Sequence, residues 1–272
     1  MILSKIKKHF SLLSVQIQQK NTIKNILLEN STSLNIIINS LNQLSSNNYQ
    51  SIFDKCEAYR EILLQDNKTV ISFDVFGMNK QMLVKDVCRK ATSKKIWAQF
   101  IFLITKNIQA PYFLEIGTNL GVSGSYILEA LKKKKQSKFI TMEGVSKLCE
   151  IAGDQFKKIS DLEKYQIYEG LYDITFPKLL KKADKFNIIF IDGNHEKVAT
   201  LRYFNSLKLK LLHPGIIILD DINWNSDMQI AWQIIKNDSI VSYSIDFFKL
   251  GIIIINDNNK KASQHYKLHL SY

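Results

Sequence analysis

From Pro111 onward the chain alternates between short apolar runs and longer amphipathic stretches, and this alternation limits the folds that it can adopt. Apolar strands that are bounded by turns and joined by helices are typical of a parallel sheet covered on both faces. We therefore predict a doubly wound α/β fold with a mostly parallel, seven-stranded sheet, in which ligands bind at the carboxyl ends of the strands. The predicted strands lie at 112–116, 139–142, 165–168, 187–191, 216–219, 241–247 and 250–256, and the predicted helices at 123–134, 145–158, 176–185, 197–211 and 227–236.

The first 108 residues follow a different pattern. Apolar residues recur there at helical spacing, first at Ile2, Ile6, Phe10 and Leu13 and again at Ile23, Ile26 and Leu27. This spacing predicts one or two amphipathic helices, which we expect to pack on their own domain or on a twin subunit of a homo-oligomer. A further helix is predicted at 93–108 and a β-hairpin at 69–85. The predicted domains are thus a mainly helical extension at 1–108, a ligand-binding domain at 109–258 and a tail at 259–272.

The charge of the chain is uneven. It carries 37 Lys and Arg against 25 Asp and Glu, a net charge of +12, of which +8 falls within residues 1–110. A basic surface can meet nucleic acid, but a solvated lysine-rich surface is the more common reason for such an excess. The longest apolar stretches fall far short of the ~20 residues of a membrane span. We therefore expect no transmembrane segment. Three widely spaced cysteines form no disulfide or zinc pattern, which predicts a cytoplasmic protein.

A glycine-containing turn follows the first strand of the alternating region. Gly117 and Gly121 permit a tight turn and close approach of a ligand at the start of a helix. The spacing differs from the dinucleotide fingerprint, because Asn119 stands at its second glycine, and this disfavours a dehydrogenase. Glu143 ends the second strand 22 residues after Gly121. An acid there can accept hydrogen bonds from both ribose hydroxyls of a nucleoside, or it can be a charge at a helix N-terminus.

Three carboxylates, Asp192, Asp220 and Asp221, directly follow the apolar runs of two later strands. Crowded carboxylates repel one another, and a cation commonly resolves the repulsion. Oxygen ligands favour Mg²⁺ or another hard divalent ion, although one acid can instead cap a helix and another bond loop amides. His195 lies three residues after Asp192, where an imidazole can act as general base, orient the loop or contact a cofactor.

These residues, in this order, resemble the class I S-adenosylmethionine-dependent methyltransferases, which have a Rossmann-like fold. Within that superfamily they are similar to the small-molecule O-methyltransferases with an Asp-Gly-x-His segment, here residues 192–195, and a later Asp-Asp pair. The resemblance covers roughly residues 95–256. The substitution of Asn119 for a loop glycine and the Asp-Asp pair in place of Asp-Asn are departures from the family pattern.

The resemblance implies a site for each participant in methyl transfer. It implies a divalent cation, with Mg²⁺ as the expected ion, held by Asp192, Asp220 and Asp221, and catalysis by His195 together with Asp192. On this hypothesis EDTA inhibits the enzyme, since the metal lowers the pKa of the acceptor hydroxyl. Residues implied to bind S-adenosylmethionine are Glu115, Gly117, Thr118, Asn119, Gly121, Ser123, Glu143, Gly144, Gly170, Tyr172, Asp173 and Asp192, with Leu171 as a further adenine contact.

The acceptor implied by the resemblance is a hydroxyl of a small molecule, with a sugar or glycan precursor preferred and Trp224 available to line its pocket. Two other hypotheses remain. An RNA methyltransferase is compatible with the basic charge, although nucleic acid is the less expected partner because the chain has no Pro-Pro motif and no Pro-Cys nucleophile. A scaffold that has the fold without activity is the other, since fold alone does not establish function.

Overall fold

Helices fill most of the first 107 residues, and strands and helices alternate after them. The structure is a computed structural model that describes residues 2–182, 184–255 and 263–270. Its α-helices are α1 (Ile2–Leu28), α2 (Thr32–Gln43), α3 (Gln50–Gln65), α4 (Val84–Ala91), α5 (Lys95–Asn107), α6 (Val122–Leu131), α7 (Ser146–Ile159), α8 (Tyr172–Lys181), α9 (Lys197–Leu207) and α10 (Ser226–Lys236). Its strands are β1 (Val70–Ser72), β2 (Gln81–Leu83), β3 (Tyr112–Ile116), β4 (Lys138–Glu143), β5 (Tyr165–Glu169), β6 (Phe186–Ile191), β7 (Leu211–Leu219), β8 (Val241–Asp246), β9 (Gly251–Ile255) and β10 (Gln264–Lys267).

Strands β1 and β2 form the hairpin predicted within residues 69–85. They pair antiparallel from Val70 opposite Leu83 to Ser72 opposite Gln81. A short 3₁₀ turn, Asp74–Phe76, forms the tip of this hairpin and ends at Gly77, whose φ of +70° suits a residue without a Cβ. The tip is apolar and exposed, which matters for the site described below.

The larger sheet contains eight strands in the order β10-β8-β9-β7-β6-β3-β4-β5. Strands β3, β4 and β5 run parallel, whereas β9 is antiparallel to both β7 and β8. With helices between its strands this is the predicted α/β class, and the parallel strands β3 and β4 read as continuous apolar runs because they are buried on both faces.

The sheet differs from the predicted one in having an eighth strand. The segment 259–272 was predicted to be a tail, but β10 pairs parallel with β8 at the edge of the sheet. A hydrogen bond of 2.8 Å joins Ser244 to His265, and Leu268 is buried. The predicted boundary at residue 258 lies outside the described residues, as does Asn256 of the last predicted strand. Helix α8 also differs, since it begins at Tyr172 rather than 176 and ends at Lys181.

The chain divides into two compact units, Met1–Asn39 with Ile189–Tyr272 and Ser40–Ile188. In the second unit, an aromatic group joins α3, α5 and α6, with ring centroids of Phe53 and Phe102 5.2 Å apart. Tyr126 of α6 packs in the same cluster and donates a hydrogen bond to Glu57 of α3. The N-terminal helices α3 and α5 therefore share one core with the first helix after β3.

In the first unit, α1 contacts β10. The backbone amide of His269 donates to the side chain of Gln19 over 2.8 Å. Helices α9 and α10 pack on each other, and Trp232 of α10 is buried against Gly251 at the start of β9. No helix within the described residues combines the length and apolarity that crossing a membrane requires.

Candidate functional site

The turn between β3 and α6 has the backbone that its glycines predict. Three residues in it have positive φ: Gly117 at +112°, Asn119 at +49° and Gly121 at +74°. The amides of Gly117 and Thr118 both donate to the carbonyl of Met142 on β4, over 3.1 and 3.0 Å. A Cβ on Gly121 would lie 2.8 Å from the Cβ of Ala152, so only glycine fits there without displacement.

Glu115 lies under this turn and is fully buried. Its two carboxylate oxygens accept hydrogen bonds from the hydroxyls of Ser123, at 2.5 Å, and Thr141, at 2.7 Å. The Thr141 hydroxyl also contacts that of Thr118 over 2.6 Å. Burial raises the pKa of Glu115 to about 7, against the lowering effect of these hydrogen bonds. Glu115, Thr118 and Ser123 thus join β3, β4 and α6 to one another beneath the predicted cofactor site.

Glu143 ends β4 and holds the turn from the other side. One of its carboxylate oxygens accepts from the Val145 amide at 3.0 Å, and the other accepts from the Asn119 amide at 2.8 Å. Burial raises the pKa of this carboxyl, while the backbone hydrogen bonds favour its charged form. A carboxylate has about four lone-pair positions, so each oxygen retains the capacity to accept a ribose hydroxyl. These acceptor positions fit the hydroxyl donors of a nucleoside.

Beyond β5, three predicted cofactor residues lie close together in the chain. Gly170 has a φ of +126°, and its amide donates to the Glu143 carbonyl over 2.8 Å. Tyr172 donates from its hydroxyl to the Met142 carbonyl at 3.4 Å, and Asp173 is exposed in the first turn of α8. These contacts bring the segment that follows β5 to the end of β4, where Glu143 lies.

The extension contributes residues that the sequence analysis missed. A Cβ on Gly144, directly after Glu143, would lie 3.0 Å from the Phe76 ring of the hairpin tip and 3.9 Å from Leu171. Tyr59 of α3 donates from its hydroxyl to the carbonyl of Leu120 in the glycine turn, over 2.6 Å. In each of these contacts the two residues lie more than 60 positions apart in sequence, so no local pattern indicates the contact.

The second group of predicted site residues follows β6. Asp192 is partly buried, and its Oδ1 lies 3.8 Å from Nε2 of His195, which is beyond hydrogen-bond distance. The His195 ring is about one-third exposed. The loop that carries it turns through Asn194, which has a φ of +55°. The imidazole is therefore accessible and is held near a carboxylate, as a general base requires.

Asp220 and Asp221 follow β7. The Asp220 amide donates to the carbonyl of Ile191, the residue before Asp192, so the two acidic segments run side by side. Asp220 is buried, and one of its oxygens accepts a hydrogen bond from the Asp221 amide at 2.8 Å. This bond agrees with the alternative prediction that one of these acids bonds an amide of its loop. Asp221 has a φ of +52°.

Lys249 fills the space between these acids, and nothing in the sequence near Asp220 indicates it. Its Nζ lies 2.8 and 2.9 Å from the two oxygens of Asp220 and 2.7 Å from Oδ1 of Asp221. Burial lowers the pKa of Lys249, but the two carboxylates outweigh burial and raise that pKa above its ordinary value. The ammonium is therefore charged, and its three donors face carboxylate oxygens.

The predicted divalent cation does not fit this arrangement. Mg²⁺ binds its oxygen ligands at about 2.0–2.1 Å and needs their free lone pairs, which here face the Lys249 ammonium. Among the residues that the structure describes, no group of three or more His, Cys, Asp or Glu side chains is arranged to hold a metal ion. Asp220 and Asp221 do have a cationic partner, but it is the Lys249 ammonium, which the local sequence does not indicate.

Comparison with known proteins covers both groups of residues. Residues 114–222, which span the glycine turn, Glu143, Asp192 and the Asp-Asp pair, match the family model described as a methyltransferase domain. These residues are thus similar to a methyltransferase domain. The resemblance to methyltransferases that was inferred from the sequence is confirmed by this match.

Relatives of the methyltransferase domain are moderately similar. A catechol O-methyltransferase from Niastella koreensis is 31% identical over 124 residues, which are 45% of this chain and 54% of that protein, so the chain spans about half the length of this curated relative. The structure of the O-methyltransferase TomG from Streptomyces achromogenes, in complex with S-adenosylmethionine, has a TM-score of 0.51 at 16% identity and covers 61% of this chain and 82% of TomG. The Podospora anserina methyltransferase PaMTH1, bound to S-adenosylhomocysteine, has a TM-score of 0.54 at 18% identity, covering 78% and 97%. At these identities the two structures establish the shared fold.

Proposed function

We propose that the protein is an S-adenosylmethionine-dependent O-methyltransferase that methylates a hydroxyl group of a small molecule. The observation that carries the proposal is Glu143, a buried acid at the end of β4 whose two oxygens are aligned by the amides of Asn119 and Val145. An acid fixed in this way beside a glycine turn is suited to bind the two hydroxyls of a ribose. The family match over residues 114–222 and the name of the curated relative support the same activity.

In the proposed reaction the protein has two tasks, which are to position the reactants and to remove one proton from the acceptor. S-adenosylmethionine supplies an activated methyl group on a sulfonium. The turn of Gly117 to Gly121, with Gly144, Gly170 and Tyr172, binds and orients the cofactor. The acceptor oxygen forms a bond to the methyl carbon as the carbon–sulfur bond breaks, and S-adenosylhomocysteine leaves as a neutral thioether. His195 takes the proton from the acceptor hydroxyl, and Asp192 stabilises the imidazolium that results.

For the acceptor we propose a small molecule with a ring and a free hydroxyl. Trp224 supports this choice, because it is 70% exposed three residues after Asp221, whereas Trp232 is buried. An exposed indole can stack on a ring. The sugar or glycan precursor predicted from the sequence and a catechol, favoured by the name of the curated relative, are the two candidates. A cytoplasmic location and a homo-oligomer formed through the N-terminal helices stay predictions.

Cofactor binding tests the proposal directly. We expect calorimetry to show binding of S-adenosylhomocysteine to the wild-type protein. Glu143→Gln removes the charge that two ribose hydroxyls would meet, so its affinity should fall roughly 10- to 100-fold. Glu150→Gln is the matched control, since Glu150 is exposed on α7 and its side chain pairs with Lys147. It should leave the affinity unchanged.

The acceptor arm of this experiment follows methyl transfer from labelled S-adenosylmethionine to catechols, glycosides and RNA. Product from the small molecules supports the proposal, and His195→Ala should then remove most of it. Product from RNA alone would favour the nucleic acid alternative. Absence of any binding of S-adenosylhomocysteine would contradict the enzyme hypothesis and favour a scaffold.

A further inference from the structure

The position of Lys249 is fixed by the backbone around it. The residue lies in the turn between β8 and β9, where the amide of Phe247 donates to the Leu250 carbonyl over 2.9 Å. The Lys249 carbonyl accepts from the Ile222 amide at 3.1 Å, one residue after Asp221. Asn223 also donates to the Phe248 carbonyl, at 2.8 Å. These bonds join the Lys249 turn to the loop that carries the two acids, and they hold the Lys249 backbone beside that loop.

We propose that Lys249 is the resident cation of the cluster formed by Asp220 and Asp221, and that the protein binds no divalent metal there or with Asp192. The ammonium makes three short contacts with two carboxylates, and at least one of these, Asp220, is nearly inaccessible to solvent. A divalent ion would have to displace a bonded ammonium and lie against its positive charge. The methyl transfer proposed above is then independent of metal, a consequence that rests on the proposed function.

Manganese binding tests the cation assignment without any acceptor. The probe is Mn²⁺, followed by calorimetry and by its effect on the melting temperature. Wild-type protein should show no stoichiometric binding. Lys249→Met, which preserves the length of the side chain but removes the charge, should gain a site for one Mn²⁺ and should melt at a higher temperature when Mn²⁺ is present. Lys249→Arg, which keeps the charge, should gain none.

Lys208 provides a matched control. Its side chain is about as exposed as that of Lys249 and makes a 2.6 Å ion pair with Asp238, away from the cluster. Lys208→Met should therefore remain without Mn²⁺ binding. Stoichiometric binding of Mn²⁺ by the wild-type protein would overturn the proposal, and so would a folded Lys249→Met protein that gains no site. If Lys249→Met does not fold, Lys249→Gln replaces it in the same test.

The activity measurement separates this proposal from the proposed function. EDTA should leave the methyl transfer rate of the wild-type protein unchanged, in contrast to the inhibition expected from the sequence alone. A protein that binds neither S-adenosylhomocysteine nor Mn²⁺ would contradict the proposed function, while the Lys249 assignment would still be decided by the Lys249→Met result.

A second observation concerns the hairpin tip. The Phe76 ring contacts the backbone beside Glu143, yet it is 45% exposed, although Ile71 at the base of the same hairpin is fully buried. Ile71 packs in one cluster with Leu120 and Val145, which flank the glycine turn and Glu143. The hairpin is thus anchored to the predicted cofactor site and presents an aromatic face next to it.

We infer that Phe76 contacts the adenine of the cofactor, an inference that rests on the proposed function. Gly144 leaves room for this ring, because a Cβ there would lie 3.0 and 3.1 Å from two of its carbons. An aromatic side chain that stacks on a base contributes enough that its loss should weaken binding about tenfold.

The test compares Phe76→Ala with Val75→Ala, which removes an exposed apolar side chain from the same turn. Phe76→Ala should weaken binding of both S-adenosylhomocysteine and methylthioadenosine about tenfold, because both carry adenine, and Phe76→Trp should restore it. Val75→Ala should bind as wild type does. Equal affinities of wild type and Phe76→Ala would overturn the inference, whereas a wild type that binds neither ligand would contradict the proposed function itself.

Discussion

Two glycines, Gly121 at the start of α6 and Gly153 inside α7, have different backbone requirements. Gly121 has a φ of +74°, and a Cβ there would lie 2.8 Å from Ala152 and 2.9 Å from Phe156. Gly153 lies inside α7, and its added Cβ would meet only Ile167, at an ordinary 3.7 Å. The first glycine is required by its surroundings, whereas the second weakens its helix.

Alanine substitutions should therefore have opposite effects on the free energy of unfolding. Gly121→Ala should lower it by about 1–3 kcal/mol, from backbone strain and overpacking. Gly153→Ala should raise it by about 0.5–1 kcal/mol, since alanine loses less entropy in a helix. Urea denaturation followed by circular dichroism measures both. A Gly121→Ala protein as stable as wild type would show that the turn does not need its left-handed residue.

At the same scale, the predictability of a site residue depends on how local its partners are. Glu143 was found because its spacing from Gly121 and its place at a strand end are both written in the sequence. Lys249 was missed because its partners lie 28 and 29 residues away and meet it only through the folding of β8 and β9. Phe76 was missed for the same reason, since it reaches Gly144 from a separate hairpin.

At the scale of elements, burial decides what the sequence reveals. Strand β3 was predicted at its observed bounds, because a strand buried on both faces leaves a mostly apolar run between turns, here interrupted only by Glu115. Strand β10 has four residues that alternate between partly buried and exposed, so its polar sequence looks like a tail. Helix α8 was predicted from its apolar pattern to begin at residue 176, whereas it begins at Tyr172.

At the scale of the whole molecule, α1 exposes two large apolar side chains. Leu12 and Ile26 are buried, whereas Ile17 and Leu28 are 80% and 81% exposed. The two exposed residues are 11 positions apart, which is close to three helical turns, so they lie on one face. The homo-oligomer is predicted from the amphipathic spacing of the N-terminal helices, and these two side chains are exposed apolar positions that it would cover.

Light scattering coupled to size exclusion should accordingly give a mass above the 31.5 kDa of one chain. Ile17→Glu combined with Leu28→Glu should shift the protein toward that single-chain mass, because two charges would be buried in the contact. Leu162→Glu, which changes a leucine that is 68% exposed elsewhere, should not. A wild-type protein that elutes as a monomer at micromolar concentration would contradict the predicted homo-oligomer.

The ion pairs of Lys249 also bear on the order in which the chain can become stable during synthesis. Lys249 emerges from the ribosome 29 residues after Asp220 and 28 after Asp221. Until it emerges, β7 ends in two adjacent carboxylates without the counter-charge that accompanies their burial, a state that costs free energy. The late hairpin of β8 and β9 thus delivers both a neighbouring strand and the charge that β7 lacks, so nascent chains released before residue 249 should be the ones that proteases degrade.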